Sequence, residues 1–250
     1  MTVPSIQKAS VLGLPIHLCS DYVAWLCDRI ETGQGTMVAT INAEMAVRGE
    51  QDAKLGQALK AADLVVPDGA GVVLHLKAKG YGVKRCPGIE LAEAVIAETA
   101  RRPGWRIWFY GGSPGVSDKA AAALTQRYPG VRFAGVNHGF LDEAAREAQM
   151  QQLRELRPEV ILVGLGVPRQ EYWIEQHRHL CPTSLWIGVG GSFDIWSGTK
   201  ERAPAWFCEN NLEWLYRLYQ EPWRWRRMLA LPYFVWRSLL ERFRPTQGTA

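Results

Sequence analysis

Short apolar runs recur through most of the chain, each closed by polar residues or glycine and separated by stretches in which apolar side chains return every third or fourth place. Met37–Ile41, Leu64–Val66, Ile107–Tyr110, Val131–Val136, Val160–Val163 and Leu185–Val189 read as strands, and Val11–Leu18 as a short strand or hairpin. Helical spacing marks Asp21–Ile30 (Trp25 and Leu26 inward), Ala43–Glu50, Gln51–Ala61, Gly69–Lys79, Gly88–Arg101, Val116–Tyr128, Asp142–Leu156 and Pro168–His177. Strands that alternate with helices imply parallel βαβ units. The pattern therefore predicts an α/β fold, a doubly wound, mostly parallel Rossmann-like sheet with helices on both faces. No internal repeat or low-complexity segment interrupts it.

From Pro204 the pattern changes. Asn210–Tyr219 reads as a capped helix with Leu215 and Leu218 on one face, and Pro232 is expected to break the Trp- and Arg-rich segment that follows. Beyond it Trp236, Leu239, Leu240 and Phe243 fall at i, i+3, i+4 and i+7, opposite Arg237, Ser238, Glu241 and Arg242. Two readings fit: an interfacial membrane helix, or a C-terminal helix docked on the core with its arginines in solvent.

Composition sharpens this division. The chain has 250 residues, 47% hydrophobic and 22% charged, which suits a folded protein rather than a disordered one. Of the net charge of +4, all sits after residue 199: residues 200–250 hold nine Lys+Arg against five Asp+Glu, with five of the 11 tryptophans. We expect a boundary near Gly198, with an α/β core over 1–198 and a basic, Trp-rich helical appendage over 199–250. Five cysteines without a C-x-x-C pair argue against a disulfide framework or a zinc knuckle and for a reducing compartment. No apolar run suits a signal peptide or approaches the roughly 20 residues that span a bilayer, so a cytoplasmic location is expected.

The chemistry concentrates between Thr36 and Leu91. The run Met37–Ala39 leads into Thr40 and Asn42, and Leu64–Val66 leads into Pro67, Asp68 and Gly69. Strand ends of this kind build sites in open α/β sheets. Asp68 suits a general base facing a cleft, or the N-cap of the helix that follows it. Gly111-Gly112-Ser113-Pro114-Gly115, Gly164-Leu165-Gly166 and Gly190-Gly191 mark three more strand ends and suggest a long cleft. The first suits a diphosphate cradle or an ordinary tight turn, and it matches neither the dinucleotide fingerprint nor a Walker A loop. A nicotinamide-dependent dehydrogenase is correspondingly disfavoured. Gln170, at the start of a helix, suits a sugar or base contact, or a solvated first turn. His177 and His179, two apart, do not share a helix face and are not read as metal ligands. No Asp-x-Asp motif is present. A diphosphate leaving group would then rely on cations such as Arg217, Arg224, Arg226 and Arg227.

In order along the chain stand Thr40-Ile41-Asn42; Pro67-Asp68-Gly69; Arg85 with Gly88; Gly111-Gly112 with Pro114; His138-Gly139-Phe140; Gly166 through Glu171; Gly188 through Asp194; Arg202-Ala203-Pro204; and Glu213-Trp214 with Arg217, Glu221-Pro222 and Arg224. This series resembles the WecG/TagA/CpsF family of bacterial glycosyltransferases from about Gly13 to Arg227. Glu90 departs from it, since the family usually has Asp there. The resemblance implies a metal-independent, cofactor-free, inverting enzyme, peripheral on the cytoplasmic face of the bacterial inner membrane, with no nucleic-acid partner. Such an enzyme moves a sugar from a UDP-sugar to a monosaccharide on undecaprenyl diphosphate, for cell-surface polysaccharide. N-acetylmannosamine is favoured as the donor sugar, with UDP-glucose or a UDP-uronic acid as alternatives.

By position the resemblance makes Asp68 the base, and Thr40, Asn42, Arg85 and Gln170 sugar contacts. Gly111, Gly112, Gly166, Arg217, Arg224 and Arg227 are assigned to UDP. It also implies an appendage that caps the site, helps attach the enzyme to the membrane, and can be displaced when the core forms a homo-oligomer. The competing reading from another class is a catalytically silent membrane-docking module of a polysaccharide-assembly complex.

Overall fold

The computed structural model describes residues 3–242. β1 (Gln7–Val11) and β2 (Leu14–Leu18) form an antiparallel hairpin around Leu12–Gly13, which settles the open reading of that stretch. The remaining strands are β3 (Thr36–Ile41), β4 (Leu64–Pro67), β5 (Ile107–Gly111), β6 (Phe133–Asn137), β7 (Val160–Gly164) and β8 (Leu185–Gly188). They form one parallel sheet in the order β4-β3-β8-β7-β5-β6. Around it lie α1 (Tyr22–Glu31), α2 (Ala43–Gln51), α3 (Ala53–Ala61), α4 (Ala70–Ala78), α5 (Gly88–Ala100), α6 (Val116–Arg127), α7 (Glu143–Leu156), α8 (Arg169–His177) and α9 (Ser192–Trp196). The α/β, Rossmann-like expectation holds.

The sequence pattern explains why both faces are covered. Alternate residues of each strand serve opposite cores, as period-2 geometry requires. Met37, Ala39 and Ile41 of β3, with Trp108 and Tyr110 of β5, pack with α2, α3, α4 and the hairpin. Val38 of β3, with Ile107 and Phe109 of β5, packs with α1, α5, α6 and α9. The hairpin also protects the edge strand β4: the Val65 N–H donates to Nδ1 of buried His17 at 2.9 Å. Within α1, Leu26 is fully buried, whereas Trp25 is only partly so, with the Arg29 guanidinium 5.3 Å from its ring centre.

Beyond Gly198 come α10 (Ala205–Glu209), α11 (Glu213–Gln220), α12 (Trp225–Met228) and α13 (Ala230–Arg242). Three expectations change here. The helix expected from Asn210 begins instead at Glu213, with no side-chain cap, because Asn210 and Asn211 close α10. Its buried side carries Glu213, and Leu215 faces out. Pro232 does not break the last segment. It sits in the first turn of α13, where a missing N–H costs no helical hydrogen bond.

The third change concerns which face of α13 is docked. Its polar stripe, not its apolar one, meets the core. Arg237 pairs with Glu50 of α2 and Glu241 with Lys79, while Glu241 also accepts the Leu12 N–H at 3.0 Å. Phe234, 2% exposed, is the apolar anchor. Trp236, Leu239 and Leu240 are left exposed. Phe243 and the Arg242 side chain lie outside the described residues.

Candidate active site

The C-terminal ends of β4, β3, β8 and β7 line up along one edge of the sheet, where open α/β folds place their ligands. Above them lies a cleft of about 340 Å³. Its floor includes Thr40, Asn42, Asp68, Gly88, Gly166 and Gln170, and its far wall is built by Lys200, Glu213, Arg217, Glu221, Arg224 and Arg227 from beyond Gly198. The site is therefore composite, core below and appendage above.

Asp68 is not the N-cap of α4; that position belongs to Gly69, which makes no side-chain cap bond. The backbone explains where the carboxylate goes instead. The Asp68 N–H continues the ladder to Ile41 O at 2.9 Å, and the Cys86 N–H donates to Pro67 O at 2.8 Å. That second bond folds the Arg85–Pro87 segment beside β4 and brings the start of α5 over Asp68. The Gly88 N–H, in the first turn of α5, then donates to Asp68 Oδ2 at 3.2 Å. Glycine is required at 88 because a Cβ there would lie 2.9 Å from Thr40 Oγ1 and 3.0 Å from its Cγ2.

Burial pushes the Asp68 carboxyl up to about 6 and outweighs the Gly88 hydrogen bond. The Glu213 carboxylate adds to the rise, while the Arg85 and Arg217 guanidiniums oppose it. At neutral pH Asp68 is thus mostly ionised yet only about one unit from protonation, which suits a general base.

In the sequence Glu213 stands out only as part of Glu213-Trp214 with Arg217, and the structure gives it a central place. It is 8% exposed, and its two oxygens meet Arg85 Nη2 at 3.0 Å and Arg217 Nη2 at 2.5 Å. Its pKa is lowered: burial acts upward, but the neighbouring Arg217, Arg85 and Arg202 together prevail. Arg224 pairs with Glu221, which also holds Lys200 at 2.7 Å, and Arg227 pairs with Glu44 at 2.6 Å. A signal for these acids was present: Glu213–Arg217 and Glu221–Arg224 stand at helical i, i+4 and i, i+3 spacing. Arg217, Arg224 and Arg227 thus reach the cleft, each already matched by a carboxylate, whereas Arg226 is not among the cleft residues and lies 5.6 Å from the Trp225 ring centre.

The remaining expected residues divide. Thr40 lines the cleft. Asn42 does too, but its Oδ1 is committed as the α2 N-cap, accepting the Met45 N–H at 2.9 Å. Gln170 is 4% exposed and both ends of its amide are engaged: Oε1 accepts the Gly190 N–H at 2.9 Å, and Nε2 donates to Glu171 Oε1 at 2.8 Å. Burial raises Glu171 to about 7. The pair Gln170–Glu171 braces the loop after β8. Arg85 lies at the border, reaching the cleft through Glu213.

Gly111 and Gly112 are not among the cleft residues. The Gly112 N–H is spent on Gly164 O at 3.0 Å, and Gly111 has φ 131° with room for no Cβ, which would sit 2.4 Å from the same oxygen. The close approach of β5 to β7 accounts for Gly111, and a φ of 71° for Gly112. Glu90, where the carboxylate is one methylene longer, turns away to pair with Arg202. Among the described residues, no three His, Cys, Asp or Glu side chains converge as a metal site would require.

Residues 9–248 match the model of the glycosyl transferase WecG/TagA/CpsF family. The chain is 34% identical over 208 residues to the N-acetylglucosaminyldiphosphoundecaprenol N-acetyl-beta-D-mannosaminyltransferase of Bacillus subtilis, covering 83% of this chain and 80% of that protein. It is 34% identical over 207 residues to the protein of that name from Bacillus spizizenii, covering 82% and 79%. With the one from Staphylococcus aureus, identity is 32% over 201 residues, covering 80% and 78%. A parallel α/β sheet, a composite cleft at its C-terminal edge and a family match over nearly the whole length lead to one conclusion: this chain belongs to the WecG/TagA/CpsF family of glycosyl transferases.

Proposed function

We propose that this enzyme transfers N-acetylmannosamine from its UDP derivative to N-acetylglucosaminyl-diphospho-undecaprenol, with inversion and without a metal ion. The observation that carries the mechanism is Asp68, poised near pKa 6 in a cleft whose opposite wall carries Lys200, Arg217, Arg224 and Arg227. Asp68 takes the proton from the acceptor hydroxyl as its oxygen attacks the donor's anomeric carbon. The bond from that carbon to UDP breaks, and the UDP oxygen leaves with the electron pair. Arg217, Arg224 and Arg227 offset the charge that develops on the diphosphate. Gly166 lies on the same floor. Thr40 and the Asn42 amide nitrogen contact the sugars, whereas Gln170 acts by holding Gly190.

Lining the cleft are five basic residues (Arg169, Lys200, Arg217, Arg224, Arg227) and five acidic ones (Asp68, Asp194, Glu201, Glu213, Glu221), so an entering diphosphate competes with carboxylates for its arginines. We take the helices α10–α13 as the movable part of the site. No helix among the described residues is long and apolar enough to cross a membrane. The exposed Trp223, Trp225, Trp236, Leu239 and Leu240, beside the arginines of α12, support peripheral attachment to the membrane that holds the acceptor.

The test is UDP release from UDP-N-acetylmannosamine with the lipid acceptor. Asp68→Asn should fold and bind donor while transfer falls at least a hundredfold; wild-type turnover in that variant would remove Asp68 as the base. Equal turnover with UDP-glucose would overturn the choice of donor.

A further inference from the structure

A second concavity, of about 270 Å³, lies between α4 and α13. Its walls are Gly71, Leu74 and Ala78 of α4, at i, i+3 and i+7, facing Phe234, Val235 and Leu239 of α13. Leu74 is 66% exposed there, an apolar stripe that the core leaves uncovered. The one lysine on its rim, Lys79, is neutralised by Glu241 at 2.8 Å, and the side-chain polar atoms His75 Nε2 and Ser238 Oγ of the two other polar lining residues are buried away from its surface. The groove therefore offers little to a charged or polar partner.

Its position says more than its polarity. The inner end is at Gly71, three residues after Asp68, where an added Cβ would lie 3.2 Å from Ala43 Cβ and 3.4 Å from the Phe234 ring. Ala43 follows Asn42, which lines the catalytic cleft. On the facing side Phe234 comes seven residues after Arg227, also a cleft residue, or roughly 10 Å at a helical rise of 1.5 Å per residue. The outer end opens beside Val235 and Leu239 on the exposed apolar side of α13. The groove thus starts close to the cleft, from which packed Ala43 and Phe234 separate it, and runs to the exposed apolar side of α13.

We propose that this groove between α4 and α13 is a subsite for a polyprenyl chain, holding the first isoprene units of the acceptor just beyond its diphosphate. This rests on the lipid-linked acceptor of the preceding reading. A single hydrocarbon chain fits a narrow concavity of this size, whereas a docked helix is 10–12 Å across. Nearness to the cleft at one end and continuity with the exposed apolar side of α13 at the other favour the chain over a second copy of the protein. The arginines at the lip would hold the diphosphate while the groove removes the adjoining hydrocarbon from water.

Binding of farnesyl diphosphate and of inorganic diphosphate to the full-length protein tests the subsite without any transfer. Wild type should bind the prenylated ligand at least tenfold tighter. Leu74→Asp, which puts a charge in the groove, and Ala78→Trp, which fills it, should each erase that advantage and leave inorganic diphosphate unaffected. Both positions are exposed and outside the catalytic cleft. In the transfer assay the same variants should raise KM about tenfold for an acceptor on a farnesyl chain, with kcat and the KM of a methyl-diphosphate acceptor unchanged. Equal affinity for the two diphosphates, or an advantage that survives both substitutions, would overturn the subsite. So would variants that change only the oligomeric mass, which would mark a contact between copies. A prenyl advantage lost in the variants, without transfer from any UDP-sugar, would uphold the groove and sink the proposed reaction instead.

Discussion

Asp68 should cost the protein stability in the ionisation state that serves catalysis. Its carboxyl stands at about 6 in the folded protein against an ordinary 3.8. A raised carboxylate pKa means the folded state holds its proton more tightly than the unfolded chain. The penalty for ionisation is therefore absent below about pH 4, grows between about 4 and 6, and is constant above. At about 1.4 kcal/mol per pKa unit, the rise from 3.8 to about 6 amounts to about 3 kcal/mol. Asp68→Asn removes that penalty, which is already net of the charge-assisted bond from the Gly88 N–H. The gain of about 3 kcal/mol corresponds to a Tm higher by roughly 6–12 °C for a chain of this size.

Thermal unfolding of wild type and variant across pH 3.5–8 checks this. The two curves should coincide near pH 3.5–4 and separate through pH 5 and 6, with the asparagine variant above. A variant less stable than wild type at pH 7.5, or an offset independent of pH, would show that Asp68 is not a strained, ionised carboxylate. The base assignment would then lose its physical ground.

Other consequences follow from the same geometry. Transfer should rise with pH through about 6, so that activity at pH 5 is about a tenth of its plateau, and Glu213→Gln should move this limb to lower pH because it removes a charge that raises Asp68; an unmoved limb would disconnect the two carboxylates. Gly111→Ala should destabilise the fold by several kcal/mol through the clash with Gly164 O, yet surviving folded protein should keep its KM for the donor. The appendage is held largely by exposed or half-exposed ion pairs, so 1 M salt should speed proteolysis between Gly198 and Trp225, and Phe234→Ala should do so at low salt. Trp236→Ser with Leu240→Ser should reduce sedimentation with anionic vesicles while leaving UDP release from a soluble acceptor intact.

Periodicity sufficed for the sheet because β3, β4, β5, β7 and β8 are runs too apolar to be anything but covered on both faces, while β6, at the edge, is only partly buried. It failed where burial follows charge. On α13 the apolar stripe is the conventional inner face, yet Arg237 and Glu241 turn inward because Glu50 and Lys79, about 190 and 160 residues earlier, are there to meet them. No local window contains that information. α11 fails alike: Glu213 is drawn inward by Arg85, and Leu215 is left outside. The glycine runs misled for a related reason. A glycine required by close packing of two strands, as at Gly111, is indistinguishable in sequence from one that admits a phosphate.

Asp68 shows how the two kinds of information combine. Its strand-end position was legible, and so was the competing N-cap, since a carboxylate before a helix commonly bonds first-turn N–H groups. The structure satisfies that chemistry with the wrong helix: the bond goes to Gly88 at the start of α5, twenty residues on, and not to α4. A cap on its own helix would have turned the carboxylate outward and lowered its pKa. Held instead beneath α5 and covered by the appendage, it is buried enough for desolvation to prevail, and it faces the space that the substrates need. The proposed base thus depends on α4, α5 and α11 being brought together, with Arg85–Glu213 as one of the contacts between core and cap. Displacing the cap would remove Glu213 and Arg217 from Asp68 at once, so opening of the site and the tuning of its base are a single event.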